Sequence, residues 1–401
     1  MTSHSVRTVG IRFVGRLLVT TVTVAGPCAA AQVLTDGPAA GWAEERLPGE
    51  VVTDGGWTDG DDPESFAMAN DGLSQSAALD ACPPTDACGH GCPWRWRAEA
   101  LALWRSSPRT RPLFANVVDG AVAGTALDAD QLISDPLAAP RLSLFRDDGC
   151  GPIYEANYLW AGNFYSERSL PFVSQGYATS PPSLYGTVYG PDTGTSLNAA
   201  QAKLLANLQT AELNVRERFL HGLAQFLIGF RWLQWNETLQ MQDAFTNPDD
   251  PTVTGADFYR TDCFNNLYGG QIGIDAVLYG SPSGFRIDGL VKAGAFYNDA
   301  LQKSEYAYVD TSPDAFAAAN RVGSPDGAAF VGEVGMTAVF PVHCNLDLRV
   351  GYFGLWIEGL AQPTNQLSGQ DLAQGGSGAG SLDRTGGVLV QGLSLGLEGR
   401  W

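Results

Sequence analysis

The chain has 401 residues, 44 % of them apolar, and 43 Asp and Glu against 24 Lys and Arg give a formal net charge of -19. Such acidity excludes a nucleic-acid partner, which demands basic surface. Past residue 31 nothing approaches the ~20 consecutive apolar residues of a spanning helix; the longest uncharged apolar-rich run, Phe219 to Phe230, also holds His221 and Gln225, so a membrane form of this chain crosses as strands.

Residues 1–31 have the layout of an export leader. Arg7, Arg12 and Arg16 come without an acid, Leu17 to Ala25 is apolar and β-branched, and Ala29, Ala30 and Ala31 precede Gln32. Its removal would take the net charge from -19 to -22. Residues 32–92 then carry twelve acids against one base, Arg46, with Gly and Pro throughout, the composition of a disordered acidic tail.

That tail ends in Cys82, Cys88, His90 and Cys92, residue types that ligate zinc. No Cys-x-x-Cys pair is present and no second ligand pair follows, so disulfides are the plainer expectation for an exported chain whose remaining cysteines are Cys150, Cys263 and Cys344. No cofactor signature is present.

From Pro93 the texture becomes alternating. Trp94, Trp96, Ala98, Ala100, Ala102 and Trp104 share one face while Arg95, Arg97 and Glu99 share the other, over the 9–11 residues that a tilted membrane strand needs. Similar segments follow at Pro140 to Asp147, Ile153 to Tyr165, Gln209 to Phe219, Leu223 to Trp235, Asn265 to Tyr279, Phe285 to Asn298, Ala329 to Phe340, Asn345 to Ile357 and Gly386 to Trp401. The pattern predicts an all-β chain, an antiparallel transmembrane barrel of about 10 strands (10–12) over residues 93–401.

Short connections (Asp148 to Gly151, Leu220 to Gly222, Gly280 to Gly284, Pro341 to Cys344) alternate with long ones (Arg105 to Ala139, Ser166 to Leu208, Asn236 to Phe264). This parity matches short periplasmic turns and long outer loops, with both barrel ends periplasmic in an outer membrane. Within the second long connection, Ser196 followed by Leu197, Ala200, Leu204 and Leu208 reads as a capped amphipathic helix. The terminal strand, greasy at Leu389, Leu393, Leu395 and Leu397 and ending on Trp401, resembles the segment that barrel-insertion machinery reads.

In register with these faces, the lumen-lining candidates are Arg95, Arg97, Glu99, Glu212, Arg216, Arg231, Asp275, Arg286, Asp288, Lys292, Glu333, Asp347 and Arg349. Glu155, Arg218, Glu237, Glu398 and Arg400 share that side. The lipid-facing set includes Phe226, Ile228, Phe230 and Trp232, then Ile272, Ile274, Ala276 and Leu278, then Leu346, Leu348, Val350 and Tyr352. Arginine and carboxylate numbers are near-equal inside, and a barrel of about ten strands is narrow, so the charges are expected to pair and leave small or intermittent conductance. Arg231 is the candidate for a bridge across the lumen.

Phe226 to Leu233 with Glu237, Asn265-Asn-Leu-Tyr-Gly-Gly-Gln-Ile-Gly273, and Arg349 to Trp356 followed by Pro363 and Asn365 resemble the outer-membrane beta-barrel porin family of planctomycetes, the seventh of the numbered beta-barrel porin families. Leu267 stands where the middle motif is expected to have Phe. The resemblance implies an outer-membrane barrel of transport or envelope-structural role, with outer-membrane lipid and the insertion machinery as partners and no catalytic residues.

Catalysis is not expected from the residues either. Beyond the leader the histidines are His90, His221 and His343, none in a long connection, and no Gly-x-Ser-x-Gly elbow occurs. The alternative readings are a surface-exposed adhesion or structural barrel without a pore, and a soluble secreted all-β protein. The sequence leaves homo-oligomerisation open.

Overall fold

A strand with one polar and one apolar face buries one of them, and which face is buried separates a soluble barrel from a membrane one. In the computed structural model, residues 94–401 are described apart from 119–120, 149–150, 172–176, 180–195, 247–253, 311–315, 324–325 and 368–381. The predicted leader, the acidic tail and the Cys82–Cys92 cluster lie outside the described residues, as does Cys150. Cys263 and Cys344 are free thiols, so neither makes the disulfide expected of an exported chain.

The elements are β1 (Trp94–Arg105), β2 (Pro112–Val118), β3 (Ala121–Asp128), β4 (Leu137–Arg146), β5 (Ile153–Leu170), β6 (Tyr177–Thr179), β7 (Ser196–Phe219), β8 (Ala224–Thr246), β9 (Thr254–Gly280), β10 (Arg286–Asp310), β11 (Phe316–Gly323), β12 (Gly327–His343), β13 (Leu346–Leu360) and β14 (Gly386–Arg400). Ten of them close a ring in the order β1, β4, β5, β7, β8, β9, β10, β12, β13, β14, every pairing antiparallel and β14 returning to β1. This is a closed ten-strand antiparallel β-barrel, as the alternation predicts, with β2, β3, β6 and β11 as additions at the end of the long connections. Closure leaves the ring without an edge strand.

Its apolar face points out. Ile228, Phe230, Ile272, Ile274, Leu278, Val350, Leu393 and Leu395 are exposed, while Arg216, Arg231, Glu212, Lys292 and Glu333 are buried. A soluble barrel would show the reverse, so the surface is that of a barrel facing lipid.

Along the longest strands this arrangement inverts. On β8 the outer residues run Phe226, Ile228, Phe230 and Trp232, then Gln234, Asn236, Thr238, Gln240 and Gln242. The inner residues Leu233, Trp235, Leu239 and Met241 are fully buried over that second half. The side-chain period stays at two while the apolar residues change sides. Trp232, Tyr268 and Tyr297 pair directly across β8, β9 and β10 at the inversion, an aromatic row at an interface. From Gln234 to Thr246 the wall continues beyond that row by about 30 Å, at ~3.3 Å per residue and a ~40° tilt.

Two expectations are corrected here. Ser196 to Leu208 is strand, not an amphipathic helix: it is the first half of β7, bonded to β5 on one side and β8 on the other. Leu197, Ala200, Leu204 and Leu208 fit a helical period, but Ala200, Ala202, Leu204, Ala206 and Leu208 also fit a two-residue one, and from Ala200 on two ready strand neighbours supply backbone partners. For the same reason much of the expected long connections from 166 to 208 and from 236 to 264 is wall: β5, β7, β8 and β9 run through them as 18, 24, 23 and 27 residues. Leu220 to Gly222 connects β7 and β8 as expected; β9 runs through Gly280, leaving 281–285 as the next turn, and β12 runs through Pro341 to His343, leaving Cys344 and Asn345, while the expected Asp148 to Gly151 connection lies partly outside the described residues.

Candidate functional site

All thirteen lumen-lining candidates face the interior in the half of the barrel nearest the short turns, and they form tiers of ion pairs. Nearest the turns, Glu398 on β14 accepts Nε of Arg97 at 2.6 Å and Nη1 of Arg349 at 2.9 Å, with Arg95 and Arg286 at 3.6 and 3.9 Å. Asp347 holds Arg400 at 2.7 Å and lies 3.8 Å from Arg286; Asp288 lies 3.1 Å from Arg286 and 3.6 Å from Arg349. The guanidinium groups of Arg95 and Arg97 both lie over the buried Phe145 ring, at 4.3 and 4.6 Å from its centroid, where its π-face attracts each cation.

In the next tier Arg216 donates to Glu155 at 2.9 Å and to Asp275 at 2.7 Å, joining β5, β7 and β9. Arg141 donates to Glu99 at 2.7 Å. The third tier is a closed quartet. Arg231 donates to both Glu212 and Glu333, and Lys292 reaches the same two carboxylates at 2.8 and 3.3 Å. Glu212 with Arg231 and Lys292 with Glu333 are each directly opposed cross-strand pairs, on β7–β8 and β10–β12, and β9 separates them. Arg231 therefore ties β8 to β12 across the lumen. Gln271 on the intervening strand donates to Glu212 at 2.8 Å and to Asn214 at 2.7 Å.

Beyond the quartet the interior turns apolar. Leu101, Leu103, Leu233, Trp235, Leu267, Phe296, Phe353, Leu355 and Val390 fill the cross-section as one buried cluster. Past it Arg105 of β1 reaches across to Glu237 of β8 at 2.5 Å, its guanidinium 5.5 Å from the Trp235 ring. The far chamber is closed by Leu113, Phe114, Leu127 and Leu132 from the β2–β3 region, packed on Leu204, Leu239, Met241 and Tyr259 of the wall.

A cavity of about 40 Å³ lies within the charged tiers, lined among others by Arg97, Glu99, Arg141, Arg216, Asp275, Lys292, Glu333 and Arg349. That holds a few waters and no solute. Groups so arranged cross-brace strands, because removing one partner leaves a buried charge uncompensated. Among the described residues no group of three or more His, Cys, Asp or Glu is placed to hold a metal.

Several participants escape the list of lumen candidates. Arg105 opens an expected long connection, although its parity continues Arg95, Arg97, Glu99, Leu101 and Leu103. Arg141, Asn157, Asn214 and Gln271 carry no local signal beyond parity; cross-strand register is what brings Arg141 opposite Glu99 and Asn214 opposite Glu155.

A closed ten-strand barrel, apolar outside and ion-paired inside, has the fold of outer-membrane β-barrels. No family model matches the chain, and no curated protein matches it by sequence. Among solved structures it is similar to the outer membrane protease OmpT of Escherichia coli, at 9 % identity and a TM-score of 0.40 over 77 % of this chain and 96 % of that one. It is similar also to the translocator domain of the autotransporter NalP of Neisseria meningitidis (11 % identity, TM-score 0.30, 79 % and 91 % covered). A deletion mutant of the TodX monoaromatic hydrocarbon channel gives 8 % identity and a TM-score of 0.27 over 81 % and 94 %. These likenesses bring no activity or substrate to this chain.

Proposed function

We propose that the protein is an outer-membrane barrel, closed along its axis at rest, that serves the envelope as a surface-exposed structural element with a porin-like but narrow, charged lumen. The Arg231, Lys292, Glu212 and Glu333 quartet carries this reading: it spans the lumen, and the cavity beside it measures about 40 Å³. Water and an occasional small ion are what such a path admits. The short turns face the periplasm and the polar upper wall stands outside. The wall's far end and its loop additions are the surface offered to the exterior, and no catalytic role belongs to the reading. The backbone of Trp401 exchanges hydrogen bonds with Trp94 at 3.1 and 3.3 Å, closing the seam where an insertion machine would read the terminal strand.

Two measurements test this. Folded protein should migrate differently on a gel with and without boiling, since membrane barrels resist detergent until heated. Reconstituted protein should show brief, small conductance in planar bilayers and no liposome swelling with sugars. A stable, large conductance with passage of oligosaccharides would overturn the closed-lumen reading, and extraction into plain buffer with unchanged mobility would overturn the membrane one.

A further inference from the structure

Between β13 and β14 the chain turns into the barrel. At Gly359, φ is +86° and an added Cβ would come within 2.7 Å of the Ala328 carbonyl oxygen, so only glycine makes this bend. Residues Ala361, Gln362, Thr364, Asn365, Gln366 and Leu367 beyond it are all at most 2 % exposed. Leu367 joins the apolar cluster of the far chamber.

Two wall asparagines hold this turn. Asn265 of β9 donates to the Ala361 carbonyl at 2.9 Å and accepts from the Ala361 N–H at 2.8 Å, taking the place of a strand neighbour. Asn298 of β10 donates to Asn265 at 3.0 Å and to the Gly359 carbonyl at 2.9 Å. Within the turn the fit is poor: Oε1 of Gln362, Oγ1 of Thr364, both amide atoms of Asn365 and Oδ1 of Asn298 are buried with no protein partner. A segment built as permanent core satisfies such groups, because each buried orphan forfeits the hydrogen bonds it makes in water. Here the outward state regains those bonds. Against it stand the asparagine pair, a long bond from Gln362 to the Gly387 carbonyl at 3.3 Å, and the exchange of Gln366 with the Asp383 backbone at 2.6 and 3.0 Å, on a stretch that follows the strap in the chain.

We propose that residues 361–367 are a releasable inner strap, latched by Asn265 and Asn298, that leaves the far chamber while the barrel and its ion-pair tiers stay folded. The chain carries its own reporter. Cys263 is fully buried and packs with Ala300, Ala361 and Leu382, under the strap, so its thiol meets solvent when the strap leaves. Cys344, half-buried in the turn at the opposite end, is an internal reference.

The experiment follows alkylation of Cys263 in the full chain folded in detergent, by mass spectrometry of its peptide, beside the rate of unfolding read from gel mobility. Strap release predicts that Cys263 reacts more slowly than Cys344 but at least tenfold faster than the barrel unfolds. Asn265→Ala should speed it a further tenfold or more with gel mobility unchanged. Asn265→Asp, which keeps the acceptor for the Ala361 N–H, should speed it less. If Asn265→Ala does not fold, Asn298→Ala makes the same comparison. Cys263 reacting only at the rate of unfolding, in the wild type and in whichever variant folds, overturns the proposal and makes the strap fixed core with its orphaned atoms bound to water. The gel mobility itself reports on the barrel reading, so the two fail separately.

Discussion

Arg231→Ala probes the quartet directly. The Arg231 side chain is 2 % exposed and those of its carboxylate partners Glu212 and Glu333 are 2 % and 3 % exposed, so the pairing is sheltered from solvent. Without it, Lys292 alone faces Glu212 and Glu333, two carboxylates with one cation. Breaking a buried pair from one side costs about 3–5 kcal/mol, because the remaining charge stays desolvated. The lower end applies, since Glu212 keeps Gln271 and Asn214 as donors and the adjoining small cavity admits water to the vacated space. Glu333→Gln added to Arg231→Ala removes the surplus charge. The double variant should therefore lose less than the sum of the two single losses, by on the order of 0.5–3 kcal/mol. Urea unfolding of vesicle-inserted protein, followed by tryptophan fluorescence and checked by gel mobility, measures all three. A loss under about 1 kcal/mol for Arg231→Ala, the range of an exposed pair, would refute the sheltered quartet. Strict additivity in the double variant would refute the coupling.

Other substitutions test other parts of the reading. Ile228→Arg, on the lipid side below the aromatic row, should cost about 2–4 kcal/mol, whereas Gln242→Arg on the same face above it should stay within about 0.5 kcal/mol; equal losses would misplace the membrane boundary. Gly229 sits against Asn214, and an added Cβ would collide with that side chain and with the Leu213 carbonyl. Asn214 bonds Glu155, Glu212 and Gln271, so Gly229→Ala should cost about 1–3 kcal/mol by overpacking, seen as a lower urea midpoint. Deleting Trp401 removes the backbone pair with Trp94 at the seam and should lower the yield of heat-modifiable protein; an unchanged yield would show that the seam closes without it.

What the sequence by itself determined is everything that depends on a two-residue period. Side-chain alternation is local, so Trp94 to Trp104 or Phe226 to Trp232 announces its lipid face without reference to any other strand, and the turns between such segments announce antiparallel neighbours. The same rule placed all thirteen lumen candidates on the inner side. It faltered where the apolar residues change sides, because above Trp232 the outer face carries Gln234, Asn236 and Thr238 and no longer reads as a membrane strand; Ser196 to Leu208 then passed for a helix. Only the tertiary structure decided who meets whom inside. Glu212 and Arg231 are opposed by register, but the reach of Arg231 to Glu333 and of Arg105 to Glu237 depends on closure of ten strands at one diameter, and the descent of residues 361–367 onto Asn265 depends on the space that closure leaves. Strand number and stagger set those distances, and both are properties of the whole ring rather than of any segment within it.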